Sequence, residues 1–317
     1  MMTEELKAHF LEPETRCGHF VGAEMKACWK VMLDMVEEVD RICRKYDIKY
    51  FLIGGSLLGA IRHKGFIPWD DDFDIALLRN DYERLRKVLQ RELPPHLFIQ
   101  TLETDPEFPT SHMCIRDSRT TCIFDWAISG RYRFNMGIFI DIFVLDGVPS
   151  TPKAEQRALT LCGRWLDFHK YRLLKGGAKR KREYVKWALY NFAWYLFGKR
   201  FIYKLREWSF SRFKVGHSID AECVAEPLYW GYSKNQDRYF ARDLRDTIDV
   251  PFEYLVLKVP QNYEAVLERA FGDWRTPVKG TSMHVTIAMS PSVDYKTVLV
   301  EKYGYTRKEL KGIGNTP

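Results

Sequence analysis

The chain has no pair of cysteines at C-x-x-C spacing. Its seven cysteines, Cys17, Cys28, Cys43, Cys114, Cys122, Cys162 and Cys223, are odd in number and widely scattered. A structural zinc ribbon and a disulfide-stapled scaffold are both excluded, and reduced thiols in a cytoplasmic protein are expected. No stretch approaches the ~18–20 consecutive apolar residues that span a bilayer. The longest apolar-aromatic run, 187–197, is interrupted by Asn191. The first ten residues include Glu4 and Glu5 and have no apolar core, so no signal peptide is expected. There is no internal repeat and no low-complexity tract.

What remains is globular. The 317 residues are 46% hydrophobic and 29% charged, enough to bury a core without staples. Residues 24–46 carry Met25, Cys28, Met32, Met35, Val39, Ile42 and Tyr46 at steps of three or four, which predicts an amphipathic helix. The run 50–53 stops at Gly54-Gly55 and reads as a buried strand entering a tight turn, with a short helix over 56–63. Further strands are expected at 73–78, 138–145 and 254–259. Helices are expected after Asp81 (read as a cap), after Thr151-Pro152 (with a stop at Gly176-Gly177), over 183–213 and over 261–271, ending at Gly272. Helices alternating with a few short strands give an α/β or α+β class.

The most informative stretch is 54–74, GGSLLGAIRHKGFIPWDDDFD. Asp70, Asp71, Asp72 and Asp74 fall within five positions and repel one another unless a cation or solvent intervenes. On a strand, Asp72 and Asp74 would share one face. A solvated acidic loop fits poorly, because Phe73 and Ile75 to Leu78 are apolar. An EF-hand fails its loop rule: with Asp70 as position 1, position 6 is Ile75 and position 12 is Asp81. A hard divalent cation held for phosphoryl transfer fits best. Asp141, set inside the apolar strand 138–143, supplies a third carboxylate that needs a partner; a buried arginine pair is the alternative. Gly54-Gly55-Ser56 at a strand-to-helix turn would let backbone N–H groups and a hydroxyl approach a phosphate.

These residues resemble the nucleotidyltransferase fold, and the strings GGSLLGAIRHKGFIPWDDDFDIAL and GIFIDIFVLDGVP look like the LicD family, which includes bacterial phosphocholine transferases and the catalytic domains of fukutin and fukutin-related protein. The resemblance is strong over about residues 30–150 and weaker over 252–274. This chain has Val144-Leu145-Asp146 where the family strand reads proline-leucine-aspartate, and it lacks a cysteine-rich zinc insertion. The resemblance implies a mixed sheet flanked by helices. It also implies transfer of a substituted phosphate, such as phosphocholine or a polyol phosphate, from a CDP-linked donor to a sugar hydroxyl, releasing CMP. The acceptor would be a cell-surface glycan or its lipid-linked form. Carried over, Asp72, Asp74 and Asp141 would ligate two Mg²⁺ (or Mn²⁺) ions and carry catalysis, and Asp141 would help deprotonate the acceptor. Gly55, Ser56 and Asp70 would line the donor, with Arg62 and Arg116 assisting ahead of His63, Lys64, Arg119 and His284. A GT-A-type glycosyltransferase and a non-catalytic nucleotide- or glycan-binding relative are the rival readings. The Gly-Gly-Ser turn disfavours the first and the intact aspartates the second.

The formal net charge is +7, yet residues 170–214 alone carry fourteen Lys/Arg against Glu183 and Glu207. The rest of the chain is therefore acidic on balance. Trp, Tyr and Phe residues, from Trp187 to Phe213, interleave with the basic ones. An aromatic core helix with a solvated basic face is the plain reading. Peripheral contact with an anionic membrane, at its inner face, is the functional one, and nucleic acid is the least favoured partner. One catalytic unit over 1–317, with a helical basic segment at 151–215 inside it, is the expected organisation.

Overall fold

The computed structural model describes residues 2–108, 110, 112–149, 151–173, 180–212, 223–225, 238–278 and 286–314. Its centre is a mixed sheet built on one long strand, Ile138–Gly147. On one side this strand pairs in parallel with Asp74–Leu78, which pairs antiparallel with Phe51–Leu52. On the other side it pairs antiparallel first with Met113–Asp117 and then, at Asp146 and Gly147, with Cys223–Ala225. Leu97–Gln100 extends the sheet beyond Met113–Asp117. All ten residues of the long strand are buried or nearly so, which explains its continuous apolar composition.

Helices cover the sheet. Ala23–Lys45 buries Cys28, Trp29, Met32, Leu33, Met35, Val36, Val39, Ile42 and Cys43 against the main core, as its spacing predicts. Gly54–His63 starts directly after Phe51–Leu52, with Gly54 at φ 56°, a conformation that only glycine adopts at no cost. The 152–172 helix begins as expected: Thr151 Oγ1 accepts a hydrogen bond from the Ala154 N–H, and Pro152 sits in the first turn. It ends at Arg172; Gly176-Gly177 lies outside the described residues.

Asp81 is not a cap. The helix Arg79–Glu92 begins two residues earlier, because the parallel register with Ile138–Gly147 runs through Leu78 and leaves no linker. Asp81 sits instead in the first turn, where its charge meets the positive end of the helix dipole. Sequence periodicity also missed several short strands, namely Leu97–Gln100, Met113–Asp117, Thr121–Phe124, Thr247–Phe252 and Thr286–Ser290, and the helix Tyr295–Tyr303.

The helices Pro152–Arg172 and Lys181–Ser211 pack on each other around a second apolar cluster of Leu102, Ala158, Cys162, Trp165, Phe168, Ile202, Tyr203 and Phe210. Gly198 (φ 74°, ψ 159°) breaks the Lys181–Ser211 helix into two segments. No described helix is long and apolar enough to cross a membrane.

Candidate active site

The geometry of the candidate site starts from register. Asp74 and Asp141 are direct partners across two parallel strands, so their side chains leave the same face of the sheet side by side. The Asp141 N–H donates to the Phe73 carbonyl at 2.8 Å, fixing that alignment. Asp72 precedes the strand rather than lying in it, so the alternation argument begins one residue late. Its charge still acts on Asp74. Burial, and then the charges of Asp72, Asp141 and Asp70, push the Asp74 carboxyl well above the usual carboxylate range. Four acidic groups therefore converge where the reading of the sequence expects a cation.

The helix N-terminus closes over this cluster. A Cβ on Gly54 would sit 3.0 Å from Asp74 Oδ2, and one on Gly55 would sit 2.6 Å from Asp70 Oδ2. The two glycines leave room for the carboxylates themselves. Ser56 is buried, and its Oγ accepts a hydrogen bond from the Asp74 N–H at 2.8 Å. Its immediate partner is thus the metal-candidate strand, and its own O–H proton is available to donate. The acidic loop is pinned from behind: Trp29 Nε1–H donates to the Asp70 carbonyl at 3.0 Å, and the Trp29 ring stacks on Phe66 at 4.6 Å. Thr286 Oγ1 donates to Asp71 Oδ2 at 3.1 Å.

Asp141 has two partners that the sequence reading did not anticipate. His112 Nε2–H donates to its Oδ1 at 3.1 Å and the Cys114 thiol donates to the same atom at 2.7 Å. Burial raises the Asp141 carboxyl, but His112, by charge and hydrogen bond, and Cys114 outweigh it and hold the group below its ordinary range. Both contacts fall on Oδ1, so Oδ2 is left toward other ligands. Cys114 is the register partner of Asp141 on the antiparallel strand Met113–Asp117. That strand is buried on both faces, so it has no periodicity by which to recognise it from sequence.

Two sets of three donors gather within 4.8 Å: Asp70, Asp71 and Asp72, and the buried His112, Cys114 and Asp141. Asp74 belongs to neither set; the first is all carboxylate, the kind of donor a hard divalent cation takes, and the second mixes nitrogen, sulfur and oxygen.

The expected arginines lie elsewhere. Arg116 is buried, donates to Gly137 O at 2.8 Å and to Gln100 Oε1, and lies over the Phe108, Phe134 and Phe139 rings. Its strand is internal to the sheet, so this guanidinium braces the core and does not line an open site. Arg62 donates to the Trp274 carbonyl at 3.0 Å from the far end of its helix. Neighbouring His63 is pushed down to about 4, first by burial and then by Arg62 and Arg16. Arg119 is exposed and paired with Asp117 at 2.7 Å. His284 lies outside the described residues.

Residues 47–136 match the family model for the LicD/FKTN/FKRP nucleotidyltransferase domain. That match includes the glycines, the acidic loop, His112 and Cys114, and stops short of Asp141. The chain is 43% identical over 124 residues to the lipopolysaccharide cholinephosphotransferase LicD of Haemophilus influenzae, covering 39% of this chain and 44% of that protein. It is 37% identical over 54 residues to the human ribitol 5-phosphate transferase FKRP, covering 17% of this chain and 11% of that protein. It is 38% identical over 58 residues to an uncharacterised protein of Rickettsia prowazekii, covering 18% of this chain and 22% of that protein. The matches thus span less than half the length of each relative.

Proposed function

We propose that this chain is a metal-dependent phosphotransferase that moves a substituted phosphate from a CDP-linked donor to a sugar hydroxyl of a glycan, releasing CMP. The observation that carries the reading is the register pairing of Asp74 with Asp141 beneath the glycine turn. The named activities of the two transferase relatives, which move cholinephosphate and ribitol 5-phosphate, support the phosphate-transfer class. Phosphocholine and a polyol phosphate are the transferred groups they suggest. We read the chain as one catalytic unit to which the paired helices over 152–211 are attached.

Asp72, Asp74 and Asp141 would hold the cations, with Asp70 alongside. Bound there, Mg²⁺ would offset charge on the transferred and leaving phosphates and ease ionisation of the acceptor hydroxyl. The chain's own groups do the rest. Backbone N–H groups at the start of the Gly54–His63 helix, with the Ser56 hydroxyl, orient donor phosphate. Asp141, held ionised by His112 and Cys114 through Oδ1, would take up the acceptor's proton.

The test uses the purified chain with Mg²⁺ and a panel of CDP-choline, CDP-ribitol and CDP-glycerol, read first by thermal shift and then by CMP release with a glycan acceptor. Asp72→Asn, Asp74→Asn and Asp141→Asn should each lower turnover by at least about a hundredfold with circular dichroism unchanged. Normal turnover by all three would sink the metal-site assignment. Stabilisation by UDP-sugars and by none of the CDP compounds would instead favour a glycosyltransferase.

A further inference from the structure

We propose that the outward face of the Lys181–Ser211 helix seats in the interfacial layer of an anionic phospholipid membrane. This inference stands apart from the transferase reading and uses none of its residues.

The helix has two apolar sides. Its inward side is occupied: Tyr190 and Trp194 pack against Phe168 and the second apolar cluster. Its outward side repeats the pattern. Tyr184, Val185, Leu189, Phe192, Tyr195 and Leu196 recur at helical spacing, and all are exposed, with Leu189 at 60%, Phe192 at 64% and Tyr195 at 89%. A helix that is apolar all round is normally buried all round. An exposed stripe of this length exceeds the scattered surface hydrophobes that need no explanation.

Charge distinguishes between occupants. The stripe is bracketed by Arg180, Lys181 and Arg182 at one end and by Lys199 just past the Gly198 break, where the neighbouring Arg200 is paired with Glu103 at 3.3 Å. Beyond that break the exposed face carries Phe201, Leu205 and Trp208 among Arg200, Lys204 and Arg212. Neither acid of the helix joins this face. Glu183 Oε2 accepts from the Arg180 N–H at 3.2 Å, and Glu207 Oε2 accepts from Arg79 Nη1 at 2.6 Å. An apolar strip with aromatic rings, basic ends and no acid is the pattern of a helix lying in an anionic interface. There the long basic side chains reach outward to lipid phosphates while the rings sit at headgroup depth. A second copy of this chain docked face to face would bring the same cations together, which disfavours self-association.

The experiment uses the full chain, vesicles of phosphatidylglycerol with phosphatidylethanolamine, and vesicles of phosphatidylcholine alone. Co-sedimentation with the anionic vesicles is expected at low salt, weakening with added salt, with little binding to the neutral ones. Brominated lipid should quench tryptophan fluorescence. The triple variant Leu189→Ser/Phe192→Ser/Leu196→Ser replaces exposed groups only. It should partition at least about tenfold less, with unchanged circular dichroism and an unchanged Mg²⁺-dependent thermal shift. Absence of binding at low salt, or equal binding by the triple variant, overturns the proposal. So does a concentration-dependent dimer in sedimentation that the triple variant abolishes, since the face would then be covered by a second copy.

Discussion

At the scale of single residues, the site rests on atoms that are missing as much as on those present. Gly55 has no Cβ, and the space a Cβ would take is held by Asp70 Oδ2. In Gly55→Ala, helix propensity alone would favour the alanine by up to about 1 kcal/mol. Stability in urea should therefore change little, while displacement of Asp70 by about an ångström should cut turnover roughly a hundredfold. A variant that is inactive only because it is unfolded would refute this account of the turn. His112 and Cys114 act on Asp141 through one oxygen, and they are separable. Cys114→Ser keeps a donor to Oδ1 and should retain near-normal turnover, whereas His112→Ala should lower kcat by about 10–100-fold with KM little changed. Equal losses in both variants, or an effect confined to KM, would show that the imidazole does not position the carboxylate. The glycine turn and the aspartates were legible in the sequence because glycine beside clustered acids is costly without a purpose. The partners of Asp141 were not, because they depend on which strand lies alongside.

At the scale of elements, the long strand Ile138–Gly147 joins the catalytic end of the molecule to its helical segment. Asp141 lies near one end and Asp146 near the other. Asp146 is buried and held by Arg79 through Nε at 2.8 Å and through Nη2, and the same guanidinium reaches Glu207 on the Lys181–Ser211 helix. Burial opposes the Arg79 charge, but Asp146 and Glu207 raise its proton affinity far above the ordinary value. Removing the cation alone leaves the buried Asp146 carboxylate unmatched, while Glu207 keeps Arg206 at 3.1 Å. Arg79→Met should cost about 3–5 kcal/mol in urea unfolding, and adding Asp146→Asn should restore part of it. Simple additivity of the two losses would mean that they do not interact. In the sequence, Val144 is the departure from the proline-leucine-aspartate of the resemblance, and Asp146, which matches it, is given no role. Periodicity found the helices with a single apolar face, such as Ala23–Lys45, and the strands that end in a chemical signal. It missed Leu97–Gln100 and Met113–Asp117, whose Gln100 and Arg116 are polar yet fully buried. The hydrogen bond that Arg116 makes to Gln100 satisfies both, and only the paired register reveals it.

At the scale of the whole molecule, the divided charge of the chain becomes a stability argument. Neither arginine expected at the acidic centre turns its guanidinium hydrogen bonds toward Asp74: Arg116 donates to Gly137 and Gln100, and Arg62 to Trp274. Asp74 consequently binds its proton more tightly in the folded chain than in the unfolded one, through burial and the charges of Asp72, Asp141 and Asp70. The sign follows from proton linkage. A carboxyl whose folded pKa is raised makes stability fall as pH rises from its unfolded value toward its folded one. Asp74's contribution to the stability of the metal-free protein should therefore fall as pH climbs out of the ordinary carboxylate range, against the opposite contribution of Asp141, and millimolar Mg²⁺ should offset that fall at neutral pH. Asp74→Asn removes the penalised charge while keeping a side chain of the same shape. We expect its metal-free Tm at pH 7 to exceed that of the wild type, by about 2 °C for each kcal/mol relieved, and its response to Mg²⁺ to shrink or vanish. Scanning calorimetry of both proteins, with and without chelator, at pH 5 and pH 7, separates the terms. A lower metal-free Tm for Asp74→Asn together with a full Mg²⁺ response would mean that the cation is held elsewhere and that Asp74 only braces the sheet.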